Sequence, residues 1–238
     1  MKAEKSRVRS QLVKAKYVKG EATLEKIREA CLEEITLRGY HRTSVCEIVR
    51  RANLTRGAFY NYWNSLDDCL ADLVLAIRES LQNDPDRIEY EKSLKDKSEM
   101  VRRVKANLFI ILEKKRRQAY LPIALLQEKG LPGDDLKELL HDYVNRLKEE
   151  WHAVIQHDQD QGYILPDLDA EAVAVGIMNS IGGIIHNSEL KFRELSQPLE
   201  NALIIFLNSC LTESYRREYP LTELLPINFS YKKPVVVK

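Results

Sequence analysis

Arg56, Gly57, Ala58 and Asn61 fall within six residues of one another, and their chemistry suits the base edges of duplex DNA. Arginine offers a fork of N–H donors that pairs with guanine O6 and N7, and alanine can meet a thymine methyl. Glycine and alanine also let the backbone approach a base edge closely. Hydroxyls surround this stretch, at Thr43, Ser44, Thr55, Tyr60 and Tyr62, and Arg42 supplies a cation just before the first of them.

Those side chains need elements that hold them, and residues 43–70 read as two short helices, a tight turn between them, and the start of a third. Ser44 with Glu47 three residues later forms the pattern of a capping box, in which each side chain satisfies an unpaired backbone N–H of the first turn. Val45, Ile48, Val49 and Ala52 then share one apolar face. Asn53 suits the turn because asparagine tolerates left-handed backbone angles, and Thr55 can cap the next helix. Phe59 and Trp63 are expected in the core, since so small a helical domain needs large side chains to close.

The chain has 238 residues, 44% of them hydrophobic, enough for one or two domains with a substantial core. Its formal net charge of +1 conceals an asymmetry. Residues 1–66 hold 14 Lys and Arg against 7 Glu, whereas residues 67–238 hold 23 against 29 acidic residues. A polyanion is attracted to the first block and repelled by the second, so the two blocks have different jobs. Cys31, Cys46, Cys69 and Cys210 are scattered without a CxxC pair and read as buried free thiols. His141, His152, His157 and His186 show no metal-site spacing. No apolar run is long enough to span a membrane, and the charged N-terminus lacks the apolar run of a signal peptide, so a soluble, cytoplasmic protein is expected.

Along the chain, residues 1–20 read as a basic mobile arm whose Lys14, Lys16 and Lys19 can add phosphate or minor-groove contacts. Residues 21–66 read as the helix-turn-helix domain, its first helix capped by Thr23, faced with Leu24, Ile27, Cys31 and Ile35, and ended by Gly39. A connecting helix covers 67–84. Further helices are expected near 92–117, 118–129, 133–160, 168–190 and 196–217, within a helical domain spanning 85–218. The tail over 219–238, with its prolines, reads as extended. The fold class is all-α, a three-helix DNA-binding domain joined to a larger helical domain.

Laid out in this order, residues 22–75 resemble the N-terminal domain of the TetR family of transcriptional regulators. Gly39-Tyr40, Thr43-Ser44-Val45, Glu47-Ile48-Val49, Ala52 to Gly57, Phe59 to Trp63 and Ser65 carry the likeness. Asn53 stands where the family usually has Gly, Trp63 where it often has Phe, and Leu66 where it commonly has a phosphate-contacting Lys. The resemblance implies that Thr43, Ser44, Thr55, Tyr60 and Tyr62 meet phosphates, which position a protein on DNA while base contacts specify its sequence. Arg56, Gly57, Ala58 and Asn61 are then the base readers, with Arg42 on the backbone. It also implies that the second block is a regulatory domain that binds a small organic effector and forms a homodimer through the helices near 168–190 and 196–217. Phe109, Tyr120, Tyr143, Leu147, Trp151 and Met178 are the candidate effector contacts, although bulky residues at such positions are more often plain core. The helix from Leu66 is the lever between reader and sensor.

No P-loop, GxGxxG, nucleophile elbow or motif-placed carboxylate pair occurs, so no enzyme activity, cofactor or metal is expected. The expected function is a ligand-responsive, dimeric repressor that binds double-stranded operator DNA. An activator or pleiotropic regulator without an effector is the alternative, followed by a helical enzyme or adaptor that retains a helix-turn-helix-like bundle.

Overall fold

The computed structural model describes residues 20–128, 133–189 and 193–224, apart from the side chains of residues 188–196. Residues 1–19 of the expected basic arm, and the expected extended tail from residue 225, lie outside the described residues. Among the described residues there are eleven α-helices and no strand; an isolated antiparallel bridge joins Ile164 and Leu211. The fold is all-α. The described residues pack as two compact units, residues 20–75 with 128 and 133–136, and residues 76–127 with 137–189 and 193–224.

In the first unit, α1 (Glu21–Arg38) buries Ile27, Ala30, Cys31 and Ile35 on the stripe their spacing requires. The helix starts two residues before the expected cap. Gly20 is at its N-cap without a side-chain bond, and Thr23 lies inside the first turn. Gly39, at φ 76°, stops the helix and donates its N–H to the Ile35 carbonyl. A 3₁₀ turn over Tyr40–Arg42 leads to α2 (Val45–Arg51) and α3 (Arg56–Tyr60). The first half of α4 (Leu66–Gln82) closes the unit, its Cys69, Leu70, Leu73 and Val74 buried. Asp72 accepts from Arg28 Nε at 3.0 Å and Nη2 at 2.8 Å, and Asp67 accepts from the Tyr40 hydroxyl at 2.7 Å. Residues 128 and 133–136, expected in the regulatory block, pack here; the Glu128 carboxylate accepts from the Tyr40 N–H at 3.2 Å.

The second unit takes the rest of α4 from Ala76, so the division falls within the connecting helix expected over 67–84. Lys115 donates to the Ser80 carbonyl and hydroxyl at 2.7 and 2.6 Å and pairs with Asp84 at 2.8 Å, while Arg78 and Gln82 both reach Glu150. Asp84-Pro85, between the helices expected over 67–84 and 92–117, starts a further helix, α5 (Pro85–Ser93). Asp84 accepts from the N–H groups of Asp86 and Arg87, and proline at the first helical position lacks the N–H that would be orphaned there. The helix expected over 92–117 is thus divided, and Ser98 caps α6 (Glu99–Glu113).

Next come α7 (Arg116–Gln127), which runs through Pro122, and α8 (Asp134–Asp160). α9 (Ala170–Glu189) is followed by α10 (Arg193–Cys210), which runs through Pro198. The helix expected over 196–217 is divided at Leu211-Thr212, where Thr212 caps α11 (Glu213–Glu218). Leu108, Ile111, Trp151, Ile155, Ile177, Ile181, Leu203 and Leu207 form one continuous core with their neighbours. Asp158 is fully buried. It accepts from Ser98 Oγ at 2.6 Å and from the N–H groups of Glu99 and Met100 at 3.0 and 2.9 Å, at the positive end of α6.

Candidate nucleic-acid interface

Residues 44–60 build the reading element by local chemistry alone. Ser44, extended at φ −132°, accepts from the Glu47 N–H, and the Glu47 carboxylate accepts in turn from the Ser44 N–H at 3.1 Å, completing the capping box. Asn53 takes φ 54°, the left-handed turn its residue type favours. Thr55 then caps α3, accepting from the Ala58 N–H at 3.2 Å. Phe59 is fully buried and Trp63 is 4% exposed; their ring centroids lie 5.2 Å apart. Burying these rings contributes about 2–3 kcal/mol each and fixes which face of α3 points outward.

That outward face carries Arg56, Gly57, Tyr60 and Asn61, all exposed, with Ala58 half-buried. The neighbouring Tyr60 hydroxyl is the largest influence raising the Arg56 guanidinium pKa above its ordinary value. Arg42, Ser44 and Thr55 are exposed as well. Thr55 accepts through its oxygen and so keeps a proton to donate.

Two expected phosphate donors are committed elsewhere. Thr43 is buried, and its hydroxyl donates to the Gly39 carbonyl at 2.9 Å. Tyr62 donates its hydroxyl to the Gly20 carbonyl at 2.9 Å, which ties α3 to the start of α1. The Ser44 hydroxyl also lies 3.0 Å from Glu47 Oε2, so its proton serves the capping box. Cys46, expected among the buried thiols, is exposed because it is the second residue of α2, on the side away from Ile48 and Val49.

A charge network was not anticipated. Glu34, 2% exposed, accepts from Arg51 Nε at 2.6 Å, and Arg38 Nε lies 2.9 Å from its other oxygen. Arg51 also reaches Glu33 at 2.8 Å, and Arg38 reaches Glu47 at 2.7 Å. The network therefore ties α1 to both ends of α2. Its only trace in the sequence is the i, i+4 spacing of Glu34 and Arg38; the link to Arg51 crosses two helices.

In the second unit Phe109, Tyr120, Trp151 and Met178 all belong to the apolar core or pack against it, and Phe109 stacks on Tyr90 with centroids 4.3 Å apart. Tyr143 and Leu147 are half-buried on α8. Burial pushes the Tyr143 phenol up to about 12, with Glu150 adding to the effect and Arg78 opposing it. Among the described residues, His186 Nδ1 and Gln118 Oε1 are buried without a hydrogen-bond partner. The His186 ring lies 5.8 Å from that of Tyr120. Neither His186 nor Gln118 was a candidate effector contact, since a lone polar residue on an apolar helix has no periodic signal. On α9 and α10, Val175 and Ile205 are 40% and 71% exposed, and a Cβ added at Gly176 would lie 2.5 Å from the Phe206 ring. Among the described residues no group of three or more His, Cys, Asp or Glu is arranged to hold a metal ion, and no helix is long and apolar enough to cross a membrane.

Residues 27–73 match the family model for bacterial regulatory proteins of the tetR family. An uncharacterised helix-turn-helix-type transcriptional regulator of Bacillus subtilis (strain 168), YdgC, is 26% identical over 165 residues, covering 68% of this chain and 79% of its own. A regulatory protein TetR from Rhodobacter sphaeroides superposes with a TM-score of 0.64 at 24% identity, over 76% of this chain and 95% of that one. SmeT of Stenotrophomonas maltophilia, solved in complex with triclosan, gives 0.64 at 19% identity over 82% and 94%. The likeness in fold thus extends well beyond the matched domain.

Proposed function

We propose that this chain, whose N-terminal domain is that of the TetR family, is a dimeric transcriptional repressor that leaves its operator when a small organic effector binds. The observation that carries the DNA reading is the outward face of α3, where Arg56, Gly57 and Tyr60 are exposed over a buried Phe59. The side chains that would hold phosphate are Arg42, Thr55 and Tyr60, with Arg56, Gly57, Ala58 and Asn61 at the bases. Thr43 and Tyr62 position the element from inside.

Dimerisation through α9 and α10 is supported by their exposed Val175 and Ile205. Two recognition helices must lie about 34–36 Å apart to enter successive major grooves. An effector that binds two such spacings unequally shifts the DNA affinity. The effector reading is supported by the unpartnered polar atom of His186 beside Tyr120 in an apolar core. Buried polar atoms are normally paired, so a ligand carrying one polar group on an aromatic or aliphatic body completes it. The lever reading for α4 is supported by its attachments, Asp67 and Asp72 in the first unit and Ser80 in the second.

The test is mobility shift on a duplex selected from a random pool, as a function of salt. Binding that steepens with each phosphate neutralised, by a log–log slope of about −0.9 per contact, and a loss of about 1–3 kcal/mol for Arg56→Ala are expected. Absence of duplex binding at low salt, or binding untouched by Arg56→Ala combined with Tyr60→Phe, overturns the DNA reading. The effector reading is tested by thermal-shift screening; a stabilising compound that leaves duplex affinity unchanged refutes the switch.

A further inference from the structure

The positive charge of the first block does not lie on the helices that read DNA. Residues 1–19 hold seven Lys and Arg against one Glu, whereas residues 20–75 hold seven against nine acidic residues. Three of the latter seven, Arg28, Arg38 and Arg51, are paired with Asp72, Glu34 and Glu34 again, at 2.8, 2.9 and 2.6 Å. The cations outside these pairs are Lys26, Arg42, Arg50 and Arg56. Glu128, Asp134 and Asp135 pack with the same unit and make it more acidic still. A duplex is held chiefly by cations that neutralise its phosphates, and the folded unit alone has few to offer.

The chain enters this unit at Gly20, and there it is tied to the reading element. The Gly20 carbonyl accepts from the Leu24 N–H at 2.8 Å, which starts α1, and from the Tyr62 hydroxyl at 2.9 Å. Tyr62 directly follows Asn61, the C-cap of α3. A Cβ at residue 20 would collide with the Tyr62 oxygen, so glycine is what lets the hydroxyl reach the carbonyl. Lys19 is therefore covalently joined to a residue clasped to the end of α3. At no more than about 3.5 Å per residue, Lys14, Lys16 and Lys19 stay within about 20 Å of Gly20.

We propose that residues 1–19 are a second DNA contact, a cationic arm that the Tyr62–Gly20 clasp delivers beside α3, where Lys14, Lys16 and Lys19 neutralise phosphates flanking the bases that Arg56 meets. Tyr62 then serves DNA binding through the arm and holds no phosphate of its own. This rests on the DNA reading of α3 and adds to it where the salt dependence comes from. Each phosphate neutralised steepens the log–log dependence of affinity on salt by about 0.9, so the three lysines account for about 2.7.

The test measures mobility shift on a duplex selected by the wild-type chain, from about 50 to about 200 mM salt. Lys14→Gln, Lys16→Gln and Lys19→Gln are combined in the full chain. The slope should become shallower by about 2.7, so that the affinity lost across this range is about forty-fold smaller than in wild type. Tyr62→Phe should weaken binding by the wild-type chain and change nothing further in the triple variant. A triple variant with the wild-type slope overturns the proposal, and if Arg56→Ala still weakens binding the DNA reading survives it. A Tyr62→Phe effect of equal size in both backgrounds, zero included, also overturns it, since a direct phosphate contact or a general loss of fold would act alike in both. Absence of duplex binding by the wild-type chain removes both readings together.

Discussion

Replacing Arg51 by alanine should destabilise the DNA-reading unit more than replacing its partner Glu34. Glu34 is 2% exposed, so a carboxylate left without Arg51 must stay ionised in a dry site or take up a proton. Arg38 is the remaining cation, but it is 42% exposed, and its Nε is near Glu34 Oε2 without the alignment of a hydrogen bond. Breaking a buried pair from this side costs about 3–5 kcal/mol. In Glu34→Ala the groups left behind are Arg38 and Arg51, and Arg51 is 33% exposed, so both guanidiniums regain water and the loss falls to about 1–3 kcal/mol. Combining Glu34→Met with Arg51→Ala removes the stranded charge and fills its volume, so the double variant should be more stable than Arg51→Ala alone. The assay is urea unfolding followed by fluorescence of Trp63, in a Trp151→Phe background so that only the reading unit reports. The ordering is decisive. If Glu34→Ala is the more damaging variant, or if Glu34→Met recovers nothing in the double variant, the stranded-carboxylate reasoning is refuted.

Ser44→Ala, assayed in the same way, removes the capping box and should cost about 1 kcal/mol, with little change in the second unit. Burial raises the Asp84 pKa, but the Lys115 ammonium and the Arg87 N–H more than offset this and hold it below its ordinary value. A depressed carboxylate contributes stability that is present above its unfolded pKa of about 4 and lost as pH falls through the lower folded value. Asp84→Asn should therefore flatten the acid limb of a stability–pH curve relative to wild type; an unchanged limb counts against the pairing. Gly176→Val should separate α9 from α10, because its Cβ would fall 2.5 Å from the Phe206 ring. Sedimentation should show a smaller assembly at equal concentration if these helices form the dimer, and no change if they do not.

Local chemistry accounts for what was legible in the sequence. The capping box at Ser44, the left-handed Asn53, the cap at Thr55 and the stop at Gly39 each depend on residues within about four positions, so spacing alone specifies them. Phe59 and Trp63 followed from size, since a short helical domain has few other ways to close. Proline was harder to read. Pro85 starts a helix, and Pro122 and Pro198 sit inside helices, because tertiary packing holds segments that local preference alone would break.

The sequence by itself determined the all-α class, the helix-turn-helix and the face of α3 that points outward, because each follows from residue type and short periodic spacing. Only the tertiary structure decided which hydroxyls are free to meet a phosphate. Thr43 is turned inward to Gly39 and Tyr62 to Gly20, partners that no residue count singles out. It also assembled Glu34 with Arg51 and Asp158 with Ser98. Each pair joins residues 17 or more positions apart, and such encounters are set by how helices cross rather than by the pattern along any one of them.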